Sequence, residues 1–304
     1  MRRLIPVFWL MAACLPLVVH SAYALQVANL AVINALAVLG LNFVTGYTGQ
    51  VNFGQAAFAG IGAYGTALAA LAGVPFVIAL LLGAVAAVLA SLILGLPTLR
   101  LRSFYLAMAT IGFGEIVHLV LLHWEDVTGG SSGLRQIPPI GIGPYLVSTD
   151  AQAWWVLLAV LALAVIVALR VRGSWLGRAM IATRDAEIAA ALTGLNTVRV
   201  KMTALALAAF YAAMSGGLYA GYVRYISPDQ FSNQQAVLLF TMLILGGTGS
   251  IAGCLLGAAV LSVLPEALRF LHEWYMILYA SGIIVIIIFL PQGVIGLLRR
   301  RAVA

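Results

Sequence analysis

The sequence predicts an all-α, polytopic integral membrane protein with about ten transmembrane helices. Of its 304 residues, 63% are hydrophobic and 8% are charged, with a mean hydropathy of +1.09, whereas a soluble domain carries about 25% charged residues. Apolar runs long enough to cross a bilayer recur along the chain. Both cysteines lie within such runs, so no disulfide framework is indicated.

Ten apolar runs are candidate transmembrane helices. In chain order they cover approximately residues 4–19, 25–44, 46–72, 76–96, 103–123, 154–171, 202–222, 237–246, 251–264 and 275–290. Each run is near the ~20 residues that a bilayer requires or somewhat shorter. Residues 1–24 are either a retained first helix or a cleaved signal peptide, because Ala22-Tyr23-Ala24 resembles a cleavage site. The length of the run and the spans that follow it favour the retained helix.

Two long polar stretches separate these runs. Residues 124–152 are rich in glycine, serine and proline, which is typical of an exposed loop. Residues 172–201 mix charges of both signs. Within the second stretch, residues 185–192 carry acidic side chains in a first turn, then alanines and apolar positions four apart, and Gly194 follows as a stop signal. This pattern predicts a short helix outside the bilayer.

Basic residues predict the orientation of the chain. With the amino terminus inside, all but three of the 16 Lys and Arg residues fall in the inside loops, the exceptions being Arg135, Arg224 and Arg269. An excess of Lys and Arg marks the cytoplasmic side of a membrane protein. We therefore expect both termini and residues 172–201 in the cytoplasm, and residues 124–152 on the outer side of the membrane. The net charge of +7 then gives no indication of nucleic-acid binding.

The short helix in the second polar stretch is a candidate docking element. Small residues such as Ala190 allow a helix to seat closely in a cleft of a partner, while Arg184, Asp185 and Glu187 are placed to form ion pairs at the rim. Gly194 would end the helix in a left-handed conformation. The alternative is a solvated surface helix whose charges serve only solubility. A helix of this length is marginal on its own in water, so a contact must hold it.

The chain carries no signature of an ATPase or another enzyme. A phosphate-binding loop requires G-x-x-x-x-G-K-[ST], but the single lysine, Lys201, is followed by Met202 and has no such glycines before it. Four scattered histidines show no metal-ligand spacing. We therefore predict no catalytic residue, no metal site and no cofactor, and uphill transport would need energy from a partner.

A glycine-rich stretch, GYTGQVNFGQAAFAGIGAY at residues 46–64, is the second functional candidate. Its candidate residues are Gly46, Gly49, Gln50, Asn52, Gly54, Gln55 and Gly60. Glycines allow a helix to break or backbones to approach closely, and lipid penalises buried amides. A broken helix that lines a pathway and close helix packing both remain open. A second cluster, at residues 246–249, repeats the G-x-T-G spacing 200 residues later.

Glu115 is the one acidic residue within a predicted span, with His118 one turn further along. Ionisable residues inside a membrane face the bundle interior and are functional candidates, so Glu115 joins the pathway candidates. The alternative is a local hydrogen bond, to His118 or to backbone, that only holds helices together.

Six motifs occur in order along about 250 residues and carry a family resemblance. They are GYTGQVNFGQAAFAGIGAY, RLRSFYLAMATIGFGEI, TGGSSGL, GRAMIATRDAEIAAALTGLN with KMTALALAAFYAAMSGGLYA, LGGTGSIAGCLLGAAV, and FLPQGVIGLLRR. The set resembles the landmarks of LivM-type permeases, which are subunits of bacterial ABC importers for branched-chain amino acids. The chain departs from many relatives at Gln55, where they carry His, and at Leu290, where they carry Arg.

The resemblance implies a single transmembrane permease domain over residues 1–304, in the bacterial inner membrane. Residues 172–201 would be a cytoplasmic coupling loop, similar to the EAA loop that docks importer permeases on their ATPases, and residues 124–152 a periplasmic loop. The implied partners are a second, homologous permease, two ATP-binding subunits, a periplasmic substrate-binding protein and membrane lipid.

The implied substrate is a branched-chain or related amino acid. Urea, amides and aromatic acids stay open, because in this family the binding protein selects the substrate. A self-contained secondary carrier is the less favoured alternative, since the chain is poor in intramembrane acids that could couple ions. A membrane-embedded enzyme would need a catalytic cluster at one depth, and the sequence indicates none.

Overall fold

The computed structural model describes residues 21–98, 103–142 and 145–267, and these are almost entirely helical. Their eleven α-helices are α1 (Ala22–Leu41), α2 (Gln55–Leu71), α3 (Phe76–Thr98), α4 (Ser103–His123), α5 (Glu125–Thr128), α6 (Asp150–Gly173), α7 (Trp175–Asp185), α8 (Glu187–Leu192), α9 (Thr197–Val223), α10 (Asn233–Gly246) and α11 (Ile251–Ala267). A π-helical segment, Asn42–Tyr47, continues α1. Short 3-10 helices occupy Gly130–Ser132 and Pro228–Phe231.

The all-helical membrane protein predicted from the sequence is confirmed. Five helices of the described part are long and apolar enough to cross a membrane: α1 with its π-helical extension, α3, α4, α6 and α9. The apolar helices α2 and α11 are shorter, with 17 residues each, and α10 has 14. The runs expected at residues 4–19 and 275–290 lie outside the described residues. The count of ten spans therefore stays a prediction.

Helix α9 lies at the centre of the bundle and packs against α1, α2 and α3. Glycines allow the backbones of α2 and α9 to touch: a Cβ on Gly62 would overlap the backbone of Ala213, and one on Gly216 would overlap the carbonyl of Ala59. Small residues at such positions are typical of helix contacts within membranes. In the most apolar 18-residue segment of each helix, 72% of α9 is buried but only 22% of α4. Helix α4 thus presents apolar side chains outward, as lipid or a partner helix requires.

Contacts between the helix ends sort the loops onto two faces of the bundle. On one face, the hydroxyl of Tyr222 donates a hydrogen bond to Asp150 Oδ1 at 2.8 Å, and the amide of Asn29 donates to the backbone oxygen of Asp150 at 3.1 Å. Two small antiparallel sheets lie here, pairing Leu134–Arg135 with Tyr225–Ile226 and Gly141–Ile142 with Tyr145–Leu146. On the opposite face, α7 meets the connections between α1 and α2 and between α10 and α11.

This grouping of loops is the one that the charge pattern requires, but which face is cytoplasmic stays a prediction. A reporter fused after Gly133 should be periplasmic and one fused after Ala186 cytoplasmic, because the two positions lie on opposite faces of the bundle. A fusion after Gly73, which lies in the connection between α2 and α3, is the matched control and should behave like the one after Gly133. Alkaline-phosphatase and fluorescent-protein fusions measure both outcomes. A cytoplasmic signal at Gly133 would contradict the topology.

The close approach of α2 and α9 yields a second prediction. Gly62→Ala should destabilise the protein by about 1–3 kcal/mol, because the added methyl must displace the backbone of Ala213. Gly112→Ala is the matched control, since Gly112 is also helical but has open space around it. Its expected effect is neutral or a gain of about 0.5–1 kcal/mol from helix propensity. Thermal unfolding of the purified variants in detergent gives both values, and equal midpoints would argue against the packed contact.

Candidate functional site

The helical backbone is interrupted between α1 and α2, at the end of the bundle that carries α7. The end of α1 widens into the π-helical Asn42–Tyr47, and residues 48–54 are irregular before α2 begins. Gly49 has φ +70°, a left-handed conformation that favours glycine. The backbone N–H groups of Thr48 and Gln50 both donate to the carbonyl of Val44 at 3.2 Å, which closes the turn. The glycine-rich stretch is therefore a buried helix break.

Three amide side chains are buried at this break. The Gln55 Nε2 donates to the carbonyls of Ala37 at 2.8 Å and Ala208 at 3.2 Å, so it joins α2 to α1 and α9. The Asn52 Oδ1 accepts from the backbone N–H of Gly54 at 2.8 Å. Within the described residues, Gln50 Oε1, Asn52 Nδ2 and Gln55 Oε1 have no hydrogen-bond partner. Unpaired buried polar atoms are costly, so these atoms favour a route for water or a polar solute beside the break.

Gly54 and Gly60 are packed about equally closely, but against different parts of the protein. Gly54 precedes α2, and a Cβ there would lie 3.1 Å from Asn52 Oδ1. A Cβ on Gly60 would lie 3.0 Å from the Cβ of Phe231, a contact that leaves little freedom. Gly60 thus belongs to helix packing, whereas Gly54 belongs to the break.

The second glycine cluster packs against the first. The backbone N–H of Gly249 donates to Asn42 Oδ1 at 2.8 Å, and a Cβ on Gly46 would lie 2.7 Å from the same nitrogen. Gly49 and Gly249, the last glycines of the two G-x-T-G repeats, both have positive φ, +70° and +79°. The two repeats therefore touch each other, one after α1 and the other after α10, and each ends on a glycine with positive φ.

Arg184 fastens α7 to this junction. Its Nη1 donates to the carbonyl of Gly46 at 2.6 Å, and its side chain crosses Gly49, where a Cβ would lie 2.9 Å from Arg184 Cγ. A cation is favourable at the carboxyl end of a helix, where backbone carbonyls lack partners. The sequence placed Arg184 at the rim of a docking helix, but its guanidinium points back to the helix break.

The short helix that was expected at residues 185–192 begins two residues later than predicted. Asp185 is the last residue of α7, and Ala186, with φ −156° and ψ 87°, separates it from α8. A helix over 185–192 was expected because Asp185 looks like a first-turn acid, but α7 continues through it. Gly194 has φ +87° with open space around it, as a left-handed helix stop requires.

Glu187 and Ala190 attach α8 to the bundle. The ammonium of Lys201, at the start of α9, pairs with Glu187 Oε1; the side chain of Lys201 is 8% exposed and that of Glu187 51%. A buried cation needs such a partner. Ala190 is buried as well. The carboxylate that was expected at the rim of a partner's cleft thus has a partner within the chain.

The outer side of α8 is apolar. Ile188 is 80% exposed and Leu192 is 84% exposed, and their spacing of four residues places both on one side of the helix. A helix of six residues that turns two large apolar side chains away from the bundle offers a small hydrophobic surface.

Glu115 does not join the break. It lies on the exposed side of α4, and its Oε2 accepts a hydrogen bond from Asn233 Nδ2 of α10 at 2.8 Å. His118, the other expected partner, contacts the carbonyl of Pro228 at 3.2 Å. Glu115 was expected to face the interior of the bundle, and this chain by itself leaves it outside. An acid on an outward face is expected to be covered by something other than lipid tails.

Sequence reasoning did not assign a site role to Asn42 or Lys201. Each is a polar residue at the edge of an apolar run, which is a signal that the sequence offered. Asn42 binds Gly249, which is distant in sequence, and Lys201 pairs with Glu187 of another helix. The sequence therefore could not predict either contact. In the parts of the chain that the structure describes, no group of three His, Cys, Asp or Glu side chains could hold a metal ion.

The sequence of residues 23–290 matches the profile of one protein family, described as the permease component of the branched-chain amino acid transport system. The chain belongs to this family. As a permease component, it is not itself the ATPase of such a system. It is 33% identical over 303 residues to LivM, the high-affinity branched-chain amino acid transport system permease protein of Escherichia coli K12, an alignment that covers 92% of this chain and 71% of LivM.

Two of the more distant relatives are also permease proteins of branched-chain amino acid transport. The probable branched-chain amino acid transport permease protein LivM of Methanocaldococcus jannaschii is 25% identical over 211 residues, covering 68% of this chain and 59% of that protein. The high-affinity permease protein LivH of Salmonella typhimurium is 28% identical over 193 residues, covering 59% of this chain and 60% of LivH. No solved structure matches this permease significantly.

The Glu187–Lys201 pair yields a prediction that separates an internal contact from a docking contact. Glu187→Lys should destabilise the permease by about 1–3 kcal/mol, less than the 3–5 kcal/mol expected for breaking a fully buried pair, because Glu187 is half exposed. The charge swap Glu187→Lys/Lys201→Glu should recover most of the loss. Thermal unfolding of the purified variants is the measurement. A swap no more stable than the single variant would contradict a stabilising ion pair between Glu187 and Lys201.

Proposed function

We propose that this protein is the transmembrane permease subunit of an ATP-driven importer for branched-chain or related amino acids in the bacterial inner membrane. It forms half of the translocation pathway beside a second, homologous permease, and works with two ATP-binding subunits and a periplasmic substrate-binding protein. Both termini face the cytoplasm. The family match and the LivM and LivH relatives support this assignment.

The exposed apolar side of α8 carries the proposal that the ATPase docks on this segment. Ile188 and Leu192 stand out from a short helix that could not persist alone in water. Apolar anchors surrounded by charged residues are typical of the centre of a protein interface. This arrangement revises the expectation from the sequence, since the apolar pair would bind and the charged residues would hold the helix in place.

Two contacts would carry a displacement of the docked segment into the membrane domain. Glu187 ties α8 to Lys201 at the start of the central helix α9, and Arg184 ties α7 to Gly46 at the helix break. ATP-driven movement at α8 would therefore act on both α9 and the break. Because packed elements shift between discrete arrangements, such contacts can couple two sites.

The break between α1 and α2 would line the pathway. Its buried amides, Gln50, Asn52 and Gln55, offer polar atoms without partners among the described residues. Non-helical backbone inside a membrane is tolerated where it is buried in protein or lines a water-filled cavity. Glu115, on the outward side of α4, would lie against the second permease or the shared pathway, which satisfies its charge better than lipid.

Docking yields a direct prediction. Ile188→Asp and Leu192→Asp should each weaken ATPase capture at least tenfold, because a charged side chain replaces an apolar anchor worth about 2 kcal/mol or more. Val198→Asp is the matched control, an exposed apolar residue of the same polar stretch outside α8. A pull-down of the ATP-binding subunits, with substrate-stimulated ATPase activity in vesicles, measures the effect. Wild-type capture by both α8 variants would refute docking on this helix.

A further inference from the structure

An open cavity of about 240 Å³ lies between α1, α2, α9 and α10. Its volume is roughly eight times the ~30 Å³ that a water molecule occupies in the liquid. Five polar side chains line it: Asn34, Ser215, Tyr219, Gln230 and Gln235. The other lining residues are aliphatic, aromatic or small, and all of them are uncharged. The cavity is thus large enough for a small organic solute and offers it both polar and apolar walls.

The polar groups of the cavity are only partly used by the protein. Among the described residues, the Tyr219 hydroxyl and the Gln235 amide make no hydrogen bond, and Gln230 uses its Oε1 alone, for the backbone N–H of Ser227 at 3.1 Å. Asn34 donates from Nδ2 to Ser262 Oγ at 3.1 Å, which leaves its Oδ1. These four side chains are only partly buried, so their free donors and acceptors are accessible to a polar occupant of the cavity.

The position of the cavity connects it with the helix break. Asn34 is in the middle of α1, whereas Gln230 and Gln235 lie at the end of the bundle that carries the small sheets. Ala37 lines the cavity, and its carbonyl accepts the hydrogen bond from Gln55 at the start of α2. The cavity therefore extends from the end of the bundle that carries the small sheets to Ala37, where α1 is hydrogen-bonded to the start of α2.

We propose that this cavity is an intramembrane substrate site for a zwitterionic α-amino acid with an aliphatic side chain, an inference that rests on the importer function proposed above. Amide and hydroxyl groups both donate and accept hydrogen bonds, so they serve the ammonium and the carboxylate together. Leu30, Ile33 and Leu239 supply apolar walls for the side chain. A solute with net charge would find no countercharge in the lining and is disfavoured.

The test uses the complete importer, with all its subunits, in proteoliposomes, and leucine as the probe. Gln235→Leu and Tyr219→Phe should each lower leucine uptake per ATP hydrolysed by about fivefold to tenfold, since each removes one hydrogen-bonding group. Gln234→Leu is the matched control, the same change at the exposed neighbouring position, and should stay within about twofold of wild type. Normalising to ATPase activity removes any effect of a lower yield of folded protein.

Leucine uptake by Gln235→Leu and Tyr219→Phe equal to that of Gln234→Leu would overturn the cavity site. If the wild-type importer takes up leucine in the same experiment, the proposed importer function still holds. Failure of the wild type to take up leucine, with ATPase stimulation by another solute, would refute both the proposed substrate and an aliphatic amino acid as the occupant. Uptake of glutamate or lysine by the wild-type importer at the leucine rate would also count against a site for a neutral solute.

Discussion

The close approach of α2 and α9 is the contact on which the rest of the structure depends. Inside a bilayer, apolar side chains gain little by leaving lipid, so helices associate through packing and hydrogen bonds. Gly62 faces the backbone of Ala213, and Gly216 faces the carbonyl of Ala59, which lets the two backbones touch. Because α9 also packs on α1 and α3, this spacing sets the positions of the neighbouring helices and of the break between α1 and α2.

The break is held from two directions. From within the bundle, Gln55 ties the start of α2 to α1 and α9, so the interruption is anchored on both sides. From the face that carries α7, Arg184 binds the carbonyl of Gly46, and the turn at Gly249 closes on Asn42. The irregular backbone therefore persists because hydrogen bonds with α1, α7, α9 and the turn after α10 hold it in place.

Much of the fold was predictable, and the site only in part. Apolar runs predicted every long helix of the described residues, and the positions of Gly49 and Gly194 matched the turns that they form. The interpretation of Glu187 illustrates the limit, because a carboxylate in an exposed helix has the same local pattern whether it pairs with Lys201 or with another protein. The exposure of Glu115 could not be predicted either, since the periodicity of α4 does not say which helices cover each of its faces.

The sequence by itself determined the membrane class, the helices and the family, because hydropathy, glycine stops and ordered motifs are local properties of the chain. Only the tertiary structure decided which side chains meet. It brought the two G-x-T-G turns into contact across 200 residues, directed Arg184 to the helix break, and left Ile188 and Leu192 without cover. The physical reason is that these contacts depend on how helices distant in sequence pack, and packing is set by shape complementarity that no short segment contains.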